Sequence, residues 1–182
     1  MEIARIVINI VSAVAVLLCA VSVFWQEKKV KSSYGECIVP FIRKKSRLFV
    51  PVIVVAFAII ALQFFRSFQF YILVVLDAVA VLASFIASKD FVLQKNAGLY
   101  ENALISDGRI IKKTDVIALP TLEYEESEDF KKEKESDEYA SDAYETAMKS
   151  LKVVTNSHGT FFVGFATKEE RSKAVEIMRT WI

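Results

Sequence analysis

The pattern of apolar and polar positions changes character near the middle of the chain. Three apolar runs fill the first half, at residues 6–25, 48–65 and 68–87. Each is close to the roughly 20 residues that a helix needs to cross a hydrocarbon core, so three transmembrane helices are expected there. A signal peptide in place of the first helix would need a shorter apolar core, a more basic start and a small-residue cleavage site. A lipoprotein signal would put a small residue before Cys19, where Leu18 stands. A retained helix is therefore the expectation. Trp25, Phe64, Phe65, Phe68, Phe70 and Tyr71 gather at the run ends, where amphipathic rings favour a membrane–water interface. Pro51 falls in the first turn of the second run, where a missing N–H costs nothing. The short connector 66–67 makes the second and third runs an antiparallel hairpin.

From Gly98 the apolar period shortens toward two. Residues 98–106 read as a strand ending at Asp107-Gly108, a strong two-residue hairpin signal, and residues 109–114 return as its partner. Residues 116–124 read as a third strand in which Pro120 marks an edge or a bulge. Residues 151–156 and 160–166 form a further hairpin around Ser157, His158 and Gly159, where glycine supplies the left-handed conformation. Thr167 with Glu170 three positions on makes a capping box. Ala174, Val175, Met178, Trp181 and Ile182 then fall on one face of a final helix. The predicted class is α+β: a membrane domain of three transmembrane helices over residues 1–90, then a small antiparallel β domain over 91–182, capped by the C-terminal helix.

Charge adds an orientation. Residues 1–90 carry ten Lys/Arg against five Asp/Glu, whereas residues 91–182 carry thirteen against seventeen. The loop 26–47 holds Lys28, Lys29, Lys31, Arg43, Lys44, Lys45 and Arg47 against Glu27 and Glu36. The connector at 66–67 offers Arg66 alone. Positive loops stay cytoplasmic, so the N-terminus is expected outside, with the basic loop and the C-terminal domain inside the cell (inner) membrane. Two cysteines and one histidine suit that compartment. The high apolar content excludes a disordered chain, and two cysteines exclude a disulfide scaffold. Tyr34, Ile38, Val39, Phe41 and Ile42 interleave with the loop cations, as suits a segment lying on an anionic leaflet, where each cation is worth about 1 kcal/mol.

Residues 125–149 form an acidic insert whose second half places Ala140, Tyr144, Ala147, Met148 and Leu151 at helical spacing. A solvated charged face is its simplest reading; a platform for a basic partner, the basic loop included, is the other. Its acidity argues against nucleic acid as a ligand. Asp77 stands near the centre of the third run, where an ionised side chain costs roughly 3 kcal/mol or more. It is read first as a carboxyl that joins helices through Asn9, Ser12 or Gln63, and second as an ion or proton relay. No phosphate loop, HExxH or paired CxxC occurs. His158 sits in a turn, and Cys19 and Cys37 lie in separate segments. No nucleophile, base and orienting group assemble, so no enzyme, catalytic residue, cofactor or metal site is expected.

The stretch from Gly98 to Val116 resembles the bacterial pleckstrin-homology-like domains found on small integral membrane proteins. Gly98, Leu99, Tyr100 and Leu104, then Gly108, Ile110 or Ile111, and Asp115-Val116 carry the likeness. Thr114 departs from it, because an aromatic often precedes the acid in that group, and Val116 stands where isoleucine is usual. The resemblance covers about residues 91–182 and implies a half-open antiparallel barrel closed by the C-terminal helix. It also implies lipid or protein binding, with Arg109, Lys112 and Lys113 as the available cations. The expected function is a non-catalytic module that presents this domain at the cytoplasmic face to a partner protein or anionic lipid, with membrane lipids and a protein partner or second copy as ligands. The alternative is a small transporter or channel subunit that uses Asp77 within a homo-oligomer or larger complex.

Overall fold

In a computed structural model, residues 2–42, 46–66, 68–122 and 149–182 are described. The chain divides into two units, Met1–Ser33 with Lys44–Lys95, and Tyr34–Arg43 with Asn96–Ile182. The first is helical: α1 (Glu2–Tyr34), α2 (Phe49–Phe65) and α3 (Phe70–Lys95). Buried Asn9, Val16, Val23 and Val30 recur every seven residues along α1. That stripe continues the helix past the apolar run as far as Tyr34. Gly35, with φ of 84°, then takes the left-handed position that ends a helix. Lys28, Lys29 and Lys31, expected in a loop, therefore stand on the final turns of α1.

Two bonds set the direction of the helices. Arg5 on α1 donates to the Phe68 carbonyl just before α3. Near the other end, Lys95 Nζ lies 2.7 Å from Glu27 Oε1. Starts are tied to starts and ends to ends, so α1 and α3 run parallel and α2 returns between them in the opposite sense. Ala13 and Val16, Ile60 and Ala56, and Ala80 and Val81 bring the three helices into one core. Phe49 and Phe91 stack with ring centroids 4.6 Å apart.

Only α1 and α3, among the described residues, are long and apolar enough to cross a membrane. The second run, expected as a third such helix, forms a shorter one of 17 residues. At 1.5 Å per residue it measures about 26 Å against a hydrocarbon core of about 30 Å.

The second unit is built from two antiparallel sheets. β1 (Cys37–Pro40), β2 (Gly98–Tyr100), β3 (Ala103–Ser106) and β4 (Arg109–Lys112) follow one another in the first sheet. A 3-10 turn, Lys113–Asp115, leads into β5 (Val116–Ala118), which pairs with β6 (Ser150–Thr155) and β7 (Gly159–Gly164) in the second. The sheets do not close on each other. Ile42 N donates to Gly164 O at 2.9 Å, which links the chain just beyond β1 to the end of β7.

Three departures from the expected strands go beyond a shift of one or two residues at an end. Residues 98–106 break at Glu101-Asn102 into β2 and β3. Cys37–Pro40, inside the expected basic loop, pairs with β2 through Cys37↔Tyr100 and Pro40↔Gly98. The third strand stops at Ala118, because Pro120 opens a helical turn instead of sitting in an edge strand. Proline suits that first position, where its missing N–H has no helical partner to lose. Asp107 and Gly108, with φ of 48° and 71°, make the expected hairpin turn.

The closing helix α4 (Lys168–Arg179) starts as expected. Thr167 Oγ1 accepts from Glu170 N at 3.1 Å, and Glu170 Oε2 accepts from Thr167 N at 3.4 Å. Ala174 and Met178 are fully buried with Val175 and Trp181 packed beside them. Ile182 is 63% exposed, because the helix ends at Arg179 and carries the terminal residue off the buried stripe. Phe41 meets Phe165 edge-on inside the same core, with centroids 5.3 Å apart. All of the acidic insert except Lys149 lies outside the described residues.

Candidate functional site

Six polar residues of the helical unit are turned inward. Asn9, Ser12, Gln63, Asp77, Ser84 and Ser88 are all at most 8% exposed. The outward positions of α1 are Ile6, Val7, Ile10, Leu17, Leu18 and Phe24, each about half exposed or more. Ser84 and Ser88 resolve their burial locally, each donating to the carbonyl four residues back at 2.8 Å. The other four are spread over all three helices. Gln63 Nε2 donates to Asp77 Oδ1 at 2.9 Å, which joins α2 to α3. Asn9 and Asp77 each lie eighteen residues before their helix's member of the Glu27–Lys95 ion pair, so on parallel helices they share one level. Ser12, one turn on from Asn9, lines with Asp77 a groove of about 510 Å³ between α1 and α3.

Three oxygens in this cluster have no partner: Asn9 Oδ1, Gln63 Oε1 and Asp77 Oδ2. Asp77 thus behaves as the helix-joining carboxyl expected from its place in the sequence, with Gln63 as the partner found. A buried acceptor left without a donor costs about 1–3 kcal/mol.

The candidate cations are distributed over both units. Lys28, Lys29 and Lys31 are exposed at the end of α1, and Arg47 is exposed just before α2. Arg43, Lys44 and Lys45 lie outside the described residues. Arg109 and Lys112 are exposed at the two ends of β4, and Lys113 is half-buried in the turn that follows. Arg109 and Lys112 are three residues apart on a strand, which sends their side chains to opposite faces.

Arg171 is a cation that the sequence reading passed over. It is 8% exposed and donates through Nε to Ser150 O at 2.9 Å, tying α4 to the start of β6. Its position one turn before Ala174 on the buried stripe was the available signal. Among the described residues, nucleophilic chemistry has no comparable arrangement. Ser157 bonds the Asp115 carboxylate through both Oγ and N, while the backbone N of His158 donates to Thr155 Oγ1. This is a stapled turn with an exposed histidine. Among the described residues no group of three or more His, Cys, Asp or Glu is placed to hold a metal ion.

No protein-family model, curated protein or solved structure matches the chain.

Proposed function

We propose that the protein is a non-catalytic, membrane-anchored module that displays its β unit to an anionic lipid surface. The observation that carries this reading is the inverted helical unit, with its carboxyl, amides and hydroxyls inside and Ile, Val, Leu and Phe outside. Water would make that distribution unfavourable at about 25 cal/mol for each Å² of exposed apolar surface, whereas lipid chains accept it. In this reading α1 and α3 cross the bilayer in one sense and the shorter α2 crosses back between them, and Lys28, Lys29, Lys31 and Arg47 meet headgroups where the helices emerge. The excess of cations there supports a cytoplasmic position for that end, from which the chain continues into the β unit. A four-stranded and a three-stranded sheet with one capping helix are the parts of a pleckstrin-homology-like half-barrel, which supports the same reading.

Two measurements on the full chain test it. After Cys19→Ser and Cys37→Ser, a cysteine at Arg66 should label from outside intact cells with an impermeant reagent, and one at Lys29 or Lys112 should not. The opposite pattern refutes the orientation. In detergent, native mass spectrometry should show phosphatidylglycerol retained over phosphatidylcholine. Lys28→Gln, Lys29→Gln and Lys31→Gln together should remove the preference. Equal retention of both lipids sinks the lipid reading, and a protein retained by the β unit from solubilised membranes would then favour a partner protein.

A further inference from the structure

We propose that Asn9, Gln63 and Asp77 form a binding site for one desolvated monovalent cation, reached through the groove beside Ser12. The argument starts from charge. Asp77 is 3% exposed, and no Lys, Arg or His occurs on α1 between Arg5 and Lys28, anywhere in α2, or on α3 before Lys89. Among the described residues, the three helices supply this carboxylate with no counter-ion at its own level. A buried, uncompensated charge costs several kcal/mol even after relaxation, so a positive charge from outside is the missing member of the cluster. A single carboxylate balances a single positive charge. A divalent ion would leave the site with a net charge.

Hydrogen-bond bookkeeping points the same way. The unpartnered atoms are all oxygens, one from each helix: Asn9 Oδ1, Gln63 Oε1 and Asp77 Oδ2. A proton on Asp77 would make one new donor and satisfy a single neighbouring acceptor, leaving the third oxygen orphaned. A cation takes all three at once. Hard cations choose carboxylate and amide-carbonyl oxygens of this kind. Gln63 is held for the task, since its amide nitrogen is already committed to Asp77 Oδ1 at 2.9 Å, which turns its oxygen away from that bond. Access comes from the groove of about 510 Å³, onto which Asp77 and Ser12 both open. The site does not depend on which ligand the β unit takes.

The test uses the full chain in detergent at fixed pH and ionic strength, with sodium chloride exchanged for N-methylglucamine chloride. Saturating sodium should raise the unfolding temperature by roughly 5–10 °C, and labelled sodium should bind with a stoichiometry of one. Asp77→Asn, which keeps the shape and the bond to Gln63, should lose both effects. Asn9→Ala removes one ligand oxygen and should weaken sodium binding at least tenfold; with the wild-type isotherm it decides the matter if Asp77→Asn fails to fold. Absence of any sodium-specific shift or binding in the wild type overturns the proposal. So does full retention of both in Asp77→Asn, or stability that follows pH while ignoring sodium, which would put a proton in the cation's place.

Discussion

Phe41→Ala measures how far the segment ahead of α2 belongs to the β unit. Phe41 is 5% exposed, meets Phe165 edge-on at 5.3 Å, and its N–H donates to Ala97 O at 3.3 Å. Truncating a phenylalanine in a packed core costs about 3–5 kcal/mol, of which the edge-on ring contact supplies about 0.5–1.5. Against a typical domain stability of about 5–15 kcal/mol, that is about a fifth of the total or more. The assay is hydrogen exchange on the full chain, followed at the amides of Leu99, Leu151 and Val153 in the interior strands. At about 1.4 kcal/mol per decade, their exchange should quicken by roughly two to three and a half orders of magnitude. Amides of α2 and α3 should keep their rates. Phe162→Ala is the control, because that ring is 64% exposed and surface changes stay within about 0.5 kcal/mol. An acceleration below tenfold for Phe41→Ala would refute the placement of this segment in the core.

Gly98→Ala should destabilise by about 1–3 kcal/mol, since the added Cβ would stand 2.6 Å from Cys37 Sγ and 2.9 Å from the backbone oxygen of Val39. An unchanged thermal midpoint would show that β1 and β2 do not approach this closely. Thr167→Ala should remove about 1 kcal/mol with the cap, read by urea unfolding. The same variant carries a pH signature. The Glu169 carboxyl is held below its ordinary value of 4.5, first by its own backbone N–H, then by the Thr167 hydroxyl, with Lys168 adding to it. Its contribution is present above 4.5 and is lost as pH falls through the lowered value, so the wild type should weaken on acidification below 4.5 and Thr167→Ala should weaken less there.

The elements that were legible in the sequence are those whose signals are local. A charge-free apolar run, an Asp-Gly pair between short strands, and a threonine three places before a glutamate are each complete within a few residues. The joining of Asp77 to Gln63 was legible as well, because few polar groups share the apolar runs and a buried carboxyl needs one of them. β1 was hidden because its pairing partner Gly98 lies far along the chain, beyond both α2 and α3. Cys37–Pro40 also ends in proline and sits among lysines, which reads as loop. The break between β2 and β3 was hidden for a different reason. Every residue of both strands is buried, so no alternation marks where one stops and the next begins. The continuation of α1 to Tyr34 was legible in principle, since Val16, Val23 and Val30 keep the seven-residue step into the basic stretch, where charge drew the reading toward a loop.

β1 precedes α2 and α3 in the chain, while every strand it completes follows them. During synthesis it emerges as a lone strand with nothing to pair. The ribosome must add the whole helical hairpin before Gly98 appears, about 3–12 s at about 5–20 residues per second. For that interval Ile38, Val39 and Phe41 are an unprotected apolar edge, the kind of segment that chaperones bind and that mispairs between chains. The cations on either side, Lys28 to Lys31 and Arg43 to Arg47, flank it as gatekeepers that discourage stacking. Delay in making or inserting α2 and α3 would prolong that exposure, so the maturation of the β unit is timed by the helices inserted within it.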